Sequence, residues 1–155
     1  MNIFILHENP QIAATHSCDK HVVKMILESA QMLCAAFPNG TAPYKRAFYN
    51  HPCTIWSRSS QANYQWLLDH AYALHAEYVE RFDKIHRCLP VIDWCDAHKA
   101  DLQLPNIGLT EFAQAMPDEY KDKSAVKAYR NYYLGEKSKF AAWKTGKTPH
   151  WYSLA

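Results

Sequence analysis

A base, a cation and a carboxylate recur along one edge of the stretch CDKHVVKMILESAQML, residues 18 to 33. His21, Lys24 and Glu28, with Gln31 after them, are separated by three, four and three residues. That is the spacing of neighbours on one helix face, and Glu28 comes two helical turns after His21. A carboxylate held beside an imidazole and an ammonium can serve as acid, base or counter-charge. Spacing alone does not choose among these roles, and a polar stripe on a helix ordinarily faces solvent. Here the apolar arc of Val22, Val23, Ile26, Leu27, Ala30 and Leu33 takes well over half the circumference. The remaining seam is narrow, as expected at the lip of a cleft.

The surrounding pattern is mainly α-helical. Met1 to Leu6, MNIFIL, reads as a short strand or a buried extended arm. Asn9 followed by Pro10 marks a helical start, and the seam helix is predicted from Ser17 to Phe37, where Pro38 and Gly40 stop it. Thr41 to Tyr49 reads as a connector. NHP at 50 to 52 repeats the start signal, and the period of Tyr64, Leu68, Ala71, Tyr72, His75, Tyr78 and Phe82 predicts one long helix from Pro52 to about Lys84. A shorter helix is predicted over Pro90 to Leu102, a helical turn at Thr110 to Ala115, and a last helix from Ser124 to Lys144. The expected fold is a compact domain spanning 1–155, with about three principal helices, short helices and a short extended N-terminal arm.

A chain of 155 residues with 48% hydrophobic composition can bury roughly two-thirds of its unfolded surface in one core. Five cysteines, odd in number and without a C-x-x-C pair, suit reduced core thiols in a cytoplasm better than a secreted disulfide frame. No run approaches the ~18 apolar residues of a membrane span, and no signal peptide is evident. A soluble cytoplasmic monomer is expected. Charge is uneven: residues 121 to 155 hold eight Lys or Arg against two acids, and residues 1 to 120 hold nine against thirteen. The basic end suits a polyanion, although a solvated helix would look the same.

On the predicted last helix Lys123, Lys127, Arg130, Lys137 and Lys144 fall at offsets of 4, 7, 14 and 21, a basic stripe suited to phosphates. Trp143, Trp151 and Tyr152 follow, and aromatics among cations suit stacking on an extruded base. Core or C-terminal packing is the commoner use of such residues. His51 reads first as a helix cap and second as a site residue. His16, Cys18 and His21 cluster locally, as do His86 with Cys88 and Cys95 with His98. None has the spacing of a closed zinc site, and neither a metal nor another cofactor is expected.

Asp19, His21 and Glu28 form the pattern D-x-H-x6-E within DKHVVKMILE, and residues 147 to 152, KTPHWY, contain P-x-W-Y. With the helix after NHP and the final helix bearing Arg130, Glu136 and Lys137, the order resembles the pyrimidine-dimer DNA glycosylases of the bacteriophage endonuclease V type. The resemblance implies that Glu28 is the catalytic carboxylate, stabilising the sugar cation and assisting an imine step. It also implies that the nucleophile is the α-amine at the chain's start, that of Met1. An α-amine, with a reference pKa of about 7.7 to 8.0, is partly neutral near physiological pH, whereas a lysine side chain at about 10.4 is not. Two departures bear on this. Asn2 is too large for efficient Met removal, where the family exposes a small threonine, and about five residues around HENPQ are inserted between arm and helix.

The resulting expectation is a DNA base-excision enzyme, an N-glycosylase with a possible abasic-site lyase step, acting on a damaged or modified base in duplex DNA. Glu28, Met1, His21 and Lys24 are the expected catalytic group, with Lys20 or Lys24 the fallback nucleophile and water the attacker in a monofunctional enzyme. Asn2, Lys20, His51, Lys127, Arg130, Lys137, Trp151 and Tyr152 are the expected substrate contacts. Two competing readings are an enzyme that cleaves a free nucleotide or nucleoside, and a nucleic-acid-binding protein without chemistry.

Overall fold

The computed structural model describes residues 1–153. Met1 to Leu6 form an extended arm, not a strand. Ile3, Phe4, Ile5 and Leu6 are all buried, so apolar side chains on both sides of the backbone hold the arm inside the helices. Asn9 then caps α1 (Pro10–His16), its side-chain oxygen accepting the Gln11 and Ile12 N–H groups. The extra residues near HENPQ are absorbed by this turn and helix, which pack on the far side of the core against α4, introduced below.

The seam helix is α2 (Asp19–Ala35), close to its predicted span. Val22, Ile26, Ala30 and Leu33 are fully buried, whereas Val23 and Leu27 are 40% exposed. The apolar arc is therefore wider than the core it faces.

The single helix predicted from Pro52 to Lys84 is instead two, α3 (Pro52–Ser57) and α4 (Gln61–Phe82). Ser60 breaks them: its hydroxyl accepts the Asn63 N–H at 3.0 Å as the cap of α4. The Asn63 side chain donates to the Trp56 carbonyl at 2.9 Å, a second bond to an acceptor that also takes the Ser59 N–H at 3.1 Å at the end of α3. α5 (Leu89–His98) continues as a 3-10 turn over Lys99–Leu102, in the region predicted.

The helical turn predicted at Thr110 to Ala115 does not form. Backbone groups there bond to distant side chains: Thr110 N–H to Asn63, Ala115 N–H to Tyr129, and Ala115 C=O to Asn2. A short 3-10 turn occurs later, at Asp118–Tyr120.

The last long helix, α6 (Ala125–Gly135), ends well short of Lys144. At its end Gly135 lies so close to the Tyr120 ring that a Cβ would collide with it. A 3-10 turn over Lys137–Lys139 and an irregular stretch lead to α7 (His150–Ser153). The continuous basic stripe is thereby overturned: only Lys127 and Arg130 lie on α6. The irregular stretch docks on α2 instead, with the Asp19 N–H donating to Ala142 C=O at 2.8 Å and the Lys144 N–H to Asp19 Oδ1 at 3.0 Å.

One contiguous core joins the arm, α2, α4 and α5 with Tyr129 and Tyr133 of α6. Among the described residues there is no strand, and no helix is long and apolar enough to cross a membrane. All five cysteines are buried and unpaired. Arg81 of α4, with a fully buried side chain, bonds Glu77 at 2.9 Å, Asp19 at 3.1 Å and the carbonyls of Ser17 and Thr15. This cation fixes the start of α2 against α4. Arg81→Leu leaves the buried Glu77 carboxylate unpaired, and urea unfolding is expected to show a loss of about 3 to 5 kcal/mol.

Candidate active site

The arm brings the start of the chain onto the seam. The Met1 nitrogen lies 3.2 Å from Glu28 Oε1, and the same oxygen accepts the Asn2 N–H at 2.9 Å. Glu28 Oε2 faces Lys24 Nζ at 3.8 Å. Glu28 is only 7% exposed, so its charge is compensated by these groups more than by bulk water. The Met1 side chain is buried, which leaves its amine, not its thioether, at the cavity. Asn2 thus does not obstruct the geometry, even with Met1 retained.

Asn2 itself is an anchor. Its Oδ1 accepts the Tyr129 hydroxyl proton at 2.8 Å and its Nδ2 donates to Ala115 C=O at 2.8 Å. Cys53 Sγ approaches the same oxygen at 3.6 Å. Side-chain capacity that was expected to meet substrate is spent inside the protein, fixing the backbone N–H that holds Glu28. Burial and the nearby Cys53 push the Tyr129 hydroxyl well above its ordinary pKa, so it stays protonated as a donor.

His21 packs face to face on Phe4, with centroids 4.0 Å apart, and its Nδ1 is 2.6 Å from the Tyr133 hydroxyl. That hydroxyl also accepts the Cys18 N–H at 3.2 Å and lies 3.5 Å from Cys18 Sγ, so it ties the ring to the start of α2. Burial, reinforced by the charges of Lys137 and Lys24, lowers the His21 pKa to about 3. The ring is therefore neutral at physiological pH, a dipole and not a cation.

Met1, Asn2, Phe4, His21, Lys24, Met25, Glu28, Tyr132 and Lys137 line one cavity of about 170 Å3. Six of these are sequence-predicted site residues. Phe4 was missed because it lies in an apolar arm that reads as buried, and Met25 and Tyr132 because apolar and aromatic residues on helices read as core. Lys137 reaches the cavity from the 3-10 turn after α6, with its Nζ 4.5 Å over the Tyr132 ring.

The other predicted contacts lie elsewhere. Lys20 sits over Phe140, 4.8 Å from the ring centre. His51 caps α3 through its Nδ1, which accepts the Cys53 N–H at 3.1 Å. Its pKa is lowered by burial and by the positive charge of the chain start, against the opposing pull of Glu28. It therefore lies within electrostatic reach of the pair without lining the cavity. Lys127 is exposed near Asp122. Arg130 Nε donates to Leu6 C=O at 3.0 Å, and its guanidinium lies 5.2 Å over Trp151. Trp151 Nε1 donates to His16 Nδ1, and Tyr152 packs on Trp143. These last residues tie the end of the fold to the arm and α1.

A family model for pyrimidine dimer DNA glycosylase matches residues 1–89, more than half of the chain. The chain belongs to this family. No curated protein and no solved structure matches it. The glycosylase match contains the arm, α1, α2, α3 and α4, and with them the Met1 and Glu28 pair. Tyr132 and Lys137, which complete the cavity, lie outside it. Among the described residues no three His, Cys, Asp or Glu side chains converge as a metal site.

The neutral state of His21 has a consequence for stability. The unfolded chain protonates this histidine near its ordinary value of 6.5, and the fold does so only near 3. Stability from this residue is thus complete above pH 6.5 and declines as pH falls from 6.5 towards 3, with a slope of at most ~1.4 kcal/mol per pH unit. Urea unfolding at several pH values should show that decline, and His21→Gln should make it shallower, leaving the part due to His70, whose pKa burial lowers to about 4.

Proposed function

We propose that this protein is a DNA N-glycosylase and abasic-site lyase that acts on a pyrimidine dimer or related lesion in duplex DNA, with the Met1 amine as nucleophile. The observation that carries this reading is the 3.2 Å approach of the Met1 nitrogen to a buried Glu28 carboxylate at a cavity wall. Family membership supports the glycosylase part. The lyase part rests on the amine.

The neutral amine attacks C1′ of the damaged nucleotide, forming the N–C1′ bond as the bond from C1′ to the base breaks and the base leaves with its electron pair. Positive charge developing on the sugar is stabilised by the Glu28 carboxylate, and the amine proton passes to a carboxylate oxygen. Ring opening converts the adduct to a protonated imine. Loss of a C2′ proton then expels the 3′-phosphate, and water hydrolyses the imine to regenerate the amine. Lys24 and Lys137, at the rim, suit the phosphates on either side of the sugar. Neutral His21 adds no further positive charge to a cavity that must host a sugar cation.

Borohydride reduction in the presence of an abasic-site duplex should trap a covalent adduct whose peptide map places the bond at the Met1 amine. Placing Gly-Ser ahead of Met1 should abolish trapping. An undiminished adduct on the extended chain would transfer the role to Lys24 or another lysine. Glu28→Gln should lower turnover about 10²- to 10⁴-fold while duplex binding persists. Binding should weaken steeply with added salt, since each neutralised phosphate releases counterions. Cleavage of a free nucleoside with no salt effect would favour the small-molecule reading.

A further inference from the structure

Phe48 stands out on the surface. Its residue is 62% exposed, and its backbone is held at φ 49°, the left-handed region. A bulky side chain adopts that conformation only against a steric penalty that glycine, asparagine or aspartate would largely avoid. Burial does not offset the penalty here, because the ring projects into solvent. Strain of this kind persists where the surroundings over-determine it.

The surroundings do so with cations. The Phe48 carbonyl accepts the His51 N–H at 3.1 Å, tying the turn to the cap of α3. The adjacent Tyr49 ring lies between two guanidiniums, Arg46 at 4.1 Å and Arg58 at 3.8 Å. Each arginine is itself bonded to backbone, Arg46 to Phe37 C=O and Arg58 to Tyr49 C=O. No aspartate or glutamate occurs between Glu28 and Asp69. An exposed aromatic is thus presented on a rigid, positively charged support.

That support adjoins the site. A second cavity of about 900 Å3 is lined by Lys45, Arg46 and Ala47 before Phe48, by Arg87, and by Lys24, which also lines the Glu28 cavity. A polyanion with one sugar at Glu28 therefore meets a run of cations leading towards Phe48. The Glu28 cavity is small. At about 170 Å3 it lies below the roughly 300 to 1,000 Å3 of ordinary ligand pockets, so it suits a sugar drawn out of a duplex better than an intact base stack.

We propose that Phe48 is a wedge that enters the base stack of duplex DNA beside the damaged nucleotide, unstacking the step and bending the helix so that the sugar reaches Glu28. Apolar side chains inserted between base steps open duplexes in this way, with flanking cations holding the phosphates. The proposal rests on the DNA-repair reading but assigns a residue and an act that the reading does not need.

The test uses a duplex containing a tetrahydrofuran abasic analogue, which cannot form an imine, flanked by 2-aminopurine. The wild-type protein should raise 2-aminopurine fluorescence on binding. Phe48→Ala should lose most of that rise and weaken binding about tenfold, within the range of one lost stacking contact, whereas Phe48→Trp should keep it. Phe48→Gly should melt at a higher temperature than wild type, because the turn loses its strain, and yet fail to unstack DNA. A rise in Phe48→Ala equal to that of wild type, or no rise in wild type, would overturn the wedge. Borohydride trapping on a true abasic site, run in parallel, reads the Met1 chemistry separately: its failure with the fluorescence rise intact would strike only the lyase mechanism.

Discussion

The site depends on one buried carboxylate that holds the beginning of the chain. Glu28 Oε1 receives both the Met1 amine and the Asn2 N–H, so an arm without strand partners ends in a defined position. Such a carboxylate would be costly to bury alone, and the two nitrogen donors make its burial tolerable. The dependence is mutual. Without the arm Glu28 would be a desolvated charge beside one exposed lysine, and without Glu28 the arm's polar end would have no partner at the cavity.

Tertiary contacts supply what the arm lacks locally. An extended hexapeptide pays backbone entropy with no helix or sheet ladder in return. Four successive buried apolar residues offset this, and the Asn2 side chain adds bonds to α6 and to the 103–117 segment. Arg130, on the same helix as Tyr129, binds the Leu6 carbonyl at the other end of the arm. α6 therefore clamps the arm at both ends, and its register sets the position of the Met1 amine. The basic charge that made this helix look like a phosphate surface serves partly to complete the site from within.

The first two helices, the fifth, the seam and the arm were legible because caps and periodicity are local signals. The break at Ser60 was legible in principle, as a serine before a helical run. The continued apolar period masked it, since a three-residue interruption returns the chain to nearly the same helical face. The end of α6 was not legible: it occurs where Tyr120 packs against Gly135, a contact between residues on separate elements. The same is true of the anchoring role of Asn2, whose partners are 51, 113 and 127 residues away. Chemistry on one helix face could be read from spacing, whereas its supports come from elements whose meeting no short window records.

The electrostatics of the cavity follow from that assembly. Lys24 and Lys137 approach from different elements, one on α2 and one beyond α6, and both lower the affinity of His21 for a proton. A protonated His21 would be a third rim cation beside the Met1 amine, raising the free energy of any positively charged sugar in the cavity. Burial against Phe4 removes that competitor, and Tyr133 fixes the ring's orientation through a hydroxyl that is itself buried and far above its ordinary pKa. The seam that first read as base, cation and carboxylate is thus a neutral imidazole, an exposed cation and a buried anion. Only the anion is placed to oppose positive charge in the cavity, so in the mechanism proposed above the reaction turns on Glu28 and not on His21.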